Sequence, residues 1–227
     1  MLKPADFFDL TKFEFRDMFK NVEYAWDALK DLEGYVKRRL KPGIYGSIMD
    51  GAIVSDNVYI GKGTIVEPGA FISGPAIIGD NSIVRHGAYI RENVIAGNGV
   101  ILGHCCEFKN SILFNESNVP HFAYVGNSIL GWRSHLGAGV KISNIKLNQE
   151  PIVINIEGMR YETGLVKFGA IIGDEAEIGC DSVLNPGSLI GKRSRLYTNI
   201  SWRGYCPPDS IVKLKQEHEI VSKEGRK

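Results

Sequence analysis

From Val54 to Pro120 the chain returns to an apolar residue at every sixth position: Val54, Ile60, Val66, Ile72, Ile78, Val84, Ile90, Ala96, Leu102, Phe108, Phe114, Pro120. Two positions earlier a small or β-branched residue recurs with it, from Ala52, Val58 and Thr64 to Val100, Cys106 and Ile112. This period fits neither a helix nor simple strand alternation. It fits an all-β solenoid of very short strands, in which each hexapeptide forms one side of a coil. The two inward residues share a face because side chains alternate along a strand. Between the pairs lie Gly61, Gly63, Pro68, Gly69, Gly79, Asp80, Asn81, Gly97, Asn98 and Gly99, residues suited to corners. A parallel β-helix follows, each strand bonded to the coils above and below at about 4.8 Å. A β-sandwich would instead show alternating runs with turns about every 8 to 12 residues.

The register slips after Val125, which is followed by Leu130, Leu136 and Ile142, so one rung has five residues. The repeat stops at a polar stretch, 143–169, and resumes as Ile172, Ile178, Leu184, Ile190 and Leu196. A long loop inside a regular solenoid usually has a function. Residues 1–43 differ in character: charged, aromatic, with a rough helical stripe of Ala25, Trp26, Leu29, Tyr35, Val36 and Leu40 ending at Pro42-Gly43. The expectation is a short N-terminal helical cap over the open first coil; a helix that binds a partner or stabilises an oligomer is the alternative. The solenoid is then expected over 44–206 with its insertion at 143–169, and 207–227 as a charged tail fading to disorder.

At 227 residues the chain can bury a core, and its net charge of +1 gives no argument for nucleic acid. No apolar run approaches membrane-spanning length, and MLKPADFF does not read as a signal peptide. Cys105, Cys106, Cys180 and Cys206 lack zinc spacing, so reduced thiols in a cytoplasmic protein are expected. His86 and His104 are one coil apart and stack on one corner; solvated corner histidines are a simpler reading than a metal site, and no metal is expected.

The segment from Arg91 to Asn144, with EFKN, PHFAYVGN and LGAG, resembles the acetyltransferase domain of the bifunctional bacterial enzyme that makes UDP-N-acetylglucosamine. It looks still more like the corresponding domain of archaeal sugar-1-phosphate enzymes. The likeness covers roughly residues 60–200 and is most specific from Glu107 to Asn144. The nucleotidyltransferase domain of those enzymes has no counterpart in the sequence, so a stand-alone relative is expected. The resemblance implies a left-handed β-helix, a homotrimer with sites between subunits, and acetyl-CoA as co-substrate. It also implies an amino-sugar 1-phosphate as acceptor, glucosamine 1-phosphate or a relative.

Residue by residue, the resemblance makes His121 the general base. A free imidazole titrates near about 6.5, which suits proton removal at neutral pH; the plainer reading is a packed corner histidine. Arg91, Lys109 and Lys167 match phosphate-binding cations. Arg91 and Lys109 are one coil apart and so stack on one side, though solvated surface charges would look the same. Tyr124 and Asn144 match sugar contacts. Ala138, Cys180 and Thr198 fall on the coenzyme side, with backbone N–H groups near Ala138 available to an oxyanion. His135 stands where the family has an asparagine, Ile145 where it has a tyrosine, and Cys180 where it has a serine. The first two touch the acceptor pocket and leave open an amino-sugar nucleotide as acceptor. A non-catalytic sugar-phosphate-binding or assembly protein is the rival from another class.

Overall fold

The repeat becomes three parallel sheets in the computed structural model, which describes residues 2–222. The first sheet has nine strands, from Gly43–Ile44 to Tyr205–Cys206; the second has nine, from Ser47–Ile48 to Ile211–Val212; the third has eight, from Ile53–Val54 to Ser201–Trp202. Successive strands of the chain go to successive sheets, so every third strand pairs in parallel with the one a coil below. The inward column of Ile60, Val66, Ile72, Ile78, Val84, Ile90, Leu102 and their successors is fully buried. Thr64, Ser82, Ser111 and Ser128 are buried among them because each hydroxyl accepts from a backbone N–H of the next coil and donates to a carbonyl.

Between Val54 and Leu196 the register differs from the sequence reading at one place; at the two ends, Ile44 to Ile48 and Trp202 to Cys206 are four-residue rungs. Val84 pairs with Leu102, 18 residues on, but Ala96 pairs with Leu113 and Leu102 with Val119, 17 residues on. The first five-residue rung therefore runs from Phe108 to Leu113, and Val125 to Leu130 is the second. Leu113 and Val119, not Phe114 and Pro120, enter the core. The difference lies at the corner: Lys109-Asn110 and Gly126-Asn127 complete the turn in one residue fewer than Arg91-Glu92-Asn93, each corner ending on an asparagine at positive φ (46°, 48° and 58°). Phe114 is apolar for another purpose. It is buried outside the coil and stacks on Phe8 and Phe13 at 4.7 and 4.2 Å.

The N-terminal segment is not an end cap. Its short helical turns and the helix Leu32–Arg39 lie against the outer face of the first sheet. There Phe7, Phe8, Phe13, Phe19 and Trp26 share a second core with Ile95, Ile112, Phe114, Ile129, Ile171 and Leu189. That face is apolar on both sides of its strands, as a sheet covered on both faces must be. The insertion joins the same core: a hairpin of Val153–Ile156 and Met159–Glu162 delivers Ile152, Ile154 and Ile156 to it. Ile48, Ala52 and Val54 at the first coil stay only partly buried. The paired strand Ile211–Val212 lies in the segment expected as a tail, and residues 223–227 lie outside the described residues.

One carboxylate fastens the two cores together. Asp174, buried at a corner of the solenoid, accepts from the backbone N–H of Asp9 at 2.6 Å and of Trp132 at 2.8 Å, while its own N–H donates to Phe7 O at 3.0 Å. Asp174→Ala leaves two donors orphaned, a loss of about 1–3 kcal/mol. Denaturant unfolding should show it, with the N-terminal segment more exposed to limited proteolysis than in the parent chain.

Candidate active site

Stacking turns each corner position into a column. At the corner between the second and third sheets the column reads His86, His104, His121, Ala138, Cys180, Thr198. This order follows from the inter-coil bonds Cys105 N to His86 O, Phe122 N to His104 O, Gly139 N to His121 O, Asp181 N to Ala138 O and Asn199 N to Cys180 O. The base and the three coenzyme-side residues of the sequence analysis thus fall on one line, with His121 at its centre. His121 is exposed at the end of the strand Asn118–His121. Below it, His104 and His86 stack with ring centroids 5.5 Å apart, and each turns its Nδ1 to the carbonyl one coil down, His86 O and Pro68 O, at 2.8 and 2.6 Å. Among the described residues no group of three or more His, Cys, Asp or Glu is placed to hold a metal ion.

The backbone of this corner is unusual by comparison with its neighbour. At the corner between the first and second sheets, the outward N–H of four coils is accepted by a side chain one coil up, while that of Asp174 donates to Phe7 O and those of Asn115 and Lys192 have no partner among the described residues. Lys62 N donates to Asp80, Asp80 N to Asn98, Asn98 N to Asn115, and Trp132 N to Asp174, at 2.7–2.9 Å. Above His121 the equivalent positions carry Ala138, Cys180 and Thr198. Gly137 and Gly139 donate to Ile178 and His121, but the N–H of Ala138 has no partner among the described residues, nor do those of Cys180 and Thr198. Lower in the same column the N–H of His86 takes a carboxylate oxygen of Glu67 at 2.8 Å, so this position can serve an external acceptor.

A second group gathers where the third sheet turns into the first. Tyr89 pairs with Glu107 and Ile90 with Phe108, which sets Arg91 beside Lys109. Neither cation is free. Arg91 Nη1 meets Glu107 Oε1 at 2.8 Å and its Nε lies 3.5 Å from Glu92 Oε2; Lys109 Nζ meets Glu92 Oε1 at 3.0 Å. Glu107 holds the Arg91 guanidinium above its ordinary range. Tyr124 follows Glu107 one coil up, and burial together with that carboxylate raises its phenol. Its hydroxyl and the Asn144 amide converge over Gly126: a Cβ there would come within 2.6 Å of the Tyr124 oxygen and 2.8 Å of Asn144 Nδ2. Asn144 also donates to Asn127 Oδ1 at 2.7 Å. Lys167 is exposed where the insertion rejoins the coil, its backbone bridged to Ile145, with Phe168 N bonded to Asn144 O at 2.9 Å.

Arg91, Lys109, Tyr124, Asn144 and Lys167 are therefore neighbours, while His121 sits at the opposite edge of the third sheet. His135 joins neither group. It lies on the second sheet, paired with Asn118 and Glu177. Sequence reasoning missed Glu92, Glu107 and Gly126 as parts of the site. The signal was present as acid and base placed in successive coils around one corner, RE then E-F-K.

The chain is thus a hexapeptide-repeat solenoid, and comparison with known proteins narrows that class. Residues 72–159 match the family described as GMPPB C-terminal domain. Bifunctional protein GlmU of Methanococcus aeolicus is 34% identical over 209 residues, 92% of this chain and 50% of that protein. The bifunctional sugar-1-phosphate nucleotidylyltransferase/acetyltransferase of Sulfurisphaera tokodaii is 34% identical over 91 residues, 40% of this chain and 23% of that protein. The acetyltransferase domain of PglB from Neisseria gonorrhoeae is similar at 14% identity and a TM-score of 0.32, over 70% of this chain and 57% of that one. The chain is similar over most of its length to part of the GlmU relatives, and it spans about half the length of those it matches.

If the open N–H groups receive a coenzyme, supplying an acceptor side chain should close them. Cys180→Asn places over Ala138 what Asn98 places over Asp80. Calorimetry should then find acetyl-CoA bound about tenfold more weakly, as for loss of one hydrogen bond to a charged or polarised group, with thermal stability kept or raised.

Proposed function

We propose that the chain transfers acetyl from acetyl-CoA to the amine of an amino-sugar 1-phosphate. The observation that carries this reading is the single corner column in which His121 is followed by the unpaired N–H groups of Ala138, Cys180 and Thr198. A thioester laid along that column meets backbone donors that no side chain has claimed. His121 accepts a proton from the sugar amine as its nitrogen attacks the thioester carbonyl carbon. The carbon–sulfur bond breaks and the coenzyme leaves as a thiolate, which takes up a proton. The Ala138 N–H faces the oxyanion that forms between these events. Arg91, Lys109 and Lys167 supply the cations for the phosphate, and Tyr124 and Asn144 contact the sugar.

A single chain keeps His121 and the cation group on opposite edges of one sheet, so the reading calls for a homotrimer in which neighbouring copies complete each site. The exposed strip of Ile53, Phe71 and Tyr89 on the third sheet fits such a contact between copies. Light scattering at micromolar concentration should give three times the chain mass. A monomer with full activity would rule out the shared site.

Replacing the base tests the chemistry. His121→Ala should leave folding and assembly intact and lower turnover with glucosamine 1-phosphate by about 10² to 10⁴-fold in a thiol-release assay. A loss of only about twofold would remove His121 from that role.

A further inference from the structure

The cations assigned to the phosphate already have an anion. Glu92 spans both, with Oε1 at 3.0 Å from Lys109 Nζ and Oε2 at 3.5 Å from Arg91 Nε. Glu107 engages Arg91 alone among the two. The four side chains carry two positive and two negative charges, so the group is neutral as it stands.

Glu92 owes its place to the irregular rung. The corner that holds it has one residue more than the two above it, and Asn110 N donates to Glu92 O just as Asn127 N donates to Lys109 O. Glu92 and Lys109 therefore occupy the same corner position in successive coils. Burial alone would favour the neutral acid, but hydrogen bonds from its own backbone N–H and from Lys109 outweigh it and hold the carboxyl below its ordinary range. It is an ion whenever the protein is folded near neutral pH.

We propose that Glu92 is a specificity-determining residue, a tethered carboxylate that fills the anion site of Arg91 and Lys109 and must be displaced by the acceptor. The inference rests on the sugar-phosphate reading of those cations. A group with a single negative charge gains nothing over the carboxylate it removes, because Glu92 is tethered and the ligand is not. A phosphomonoester dianion brings a second charge and a third oxygen to the same two cations. The site then selects phosphomonoesters against phosphodiesters and carboxylate sugars. Removing Glu92 relaxes that choice.

The test uses the full chain and calorimetry with three probes: glucosamine 1-phosphate, its methyl phosphodiester as a fixed monoanion, and free glucosamine. Glu92→Gln keeps the shape and removes the charge; Glu92→Ala guards against a hydrogen bond made by the new amide. Both should bind the two phosphorylated probes more tightly, by about tenfold for the diester, since a like charge facing the ligand is removed. The preference for the monoester should shrink, and free glucosamine should bind as before. Lys109→Ala controls for the reading beneath. If it selectively weakens the phosphorylated probes while the Glu92 variants leave them unchanged or weaker, the plug is overturned and the phosphate site stands. If Lys109→Ala changes the binding of the phosphorylated probes no more than that of free glucosamine, the phosphate site falls and the plug with it.

Discussion

Every feature of this molecule depends on hydrogen bonding between coils in register. A buried backbone N–H cannot go without a partner, and here the partners lie one coil away in all three sheets. A slip of one residue within a strand would send its inward side chain to the outer face. The chain therefore loses residues at corners, as at Lys109-Asn110 and Gly126-Asn127, where two residues turn the chain in place of three. Strand pairing resumes unchanged on either side. The same rule converts sequence spacing into columns, and columns into sites.

The inward columns were legible because they repeat: ten positions at one period, Val54 to Phe108, leave little room for another fold. The five-residue rung at Phe108 was hidden because Phe114 is as apolar as the residue the period requires. Its hydrophobicity serves the outer core with Phe8 and Phe13, and a one-dimensional pattern does not say which side of the sheet a residue faces. For the same reason the N-terminal aromatics suggest a cap from sequence alone. Their partners, Ile95, Ile112, Ile129 and Ile171, are apolar at outward strand positions. Two consecutive apolar residues in each strand of the first sheet are the signal that this face is covered. Within the site, His121, Ala138, Cys180 and Thr198 fell on one column because their spacing follows the coil. His135 lies apart because it sits in a strand of the second sheet rather than at the corner. Glu92 and Glu107 were passed over because a family match names cations and says nothing about what neutralises them.

The two corners treat the same backbone geometry differently over most of their length. At one, Asp80, Asn98, Asn115 and Asp174 close four of the outward N–H groups, each with a side chain from the next coil. Each closure fixes the stacking and removes a donor from solvent. At the other, Ala138, Cys180 and Thr198 supply no carboxylate or amide above the donors, and stability that a side chain would contribute is forgone. The column of His86, His104 and His121 continues the same corner downward, where the imidazoles of His86 and His104 bond to carbonyls one coil below rather than to N–H groups above. Polarity along the corner thus changes at His121, from side chains that accept or donate locally to a backbone left open.

The cation corner follows the other strategy. Glu92 and Glu107 pair its cations, and on the proposal above an incoming anion exchanges with one of them. Arg91 and Lys109 without these carboxylates would repel each other across adjacent coils and attract any passing anion, since two like charges a few ångströms apart are costly even near a surface. Neutralising them in place lets the cations be held together before substrate arrives. The consequence is that affinity at this corner is a difference between two ion pairs rather than the strength of one. Selectivity of that kind depends on the charge and shape of the incoming group more than on the number of cations that meet it.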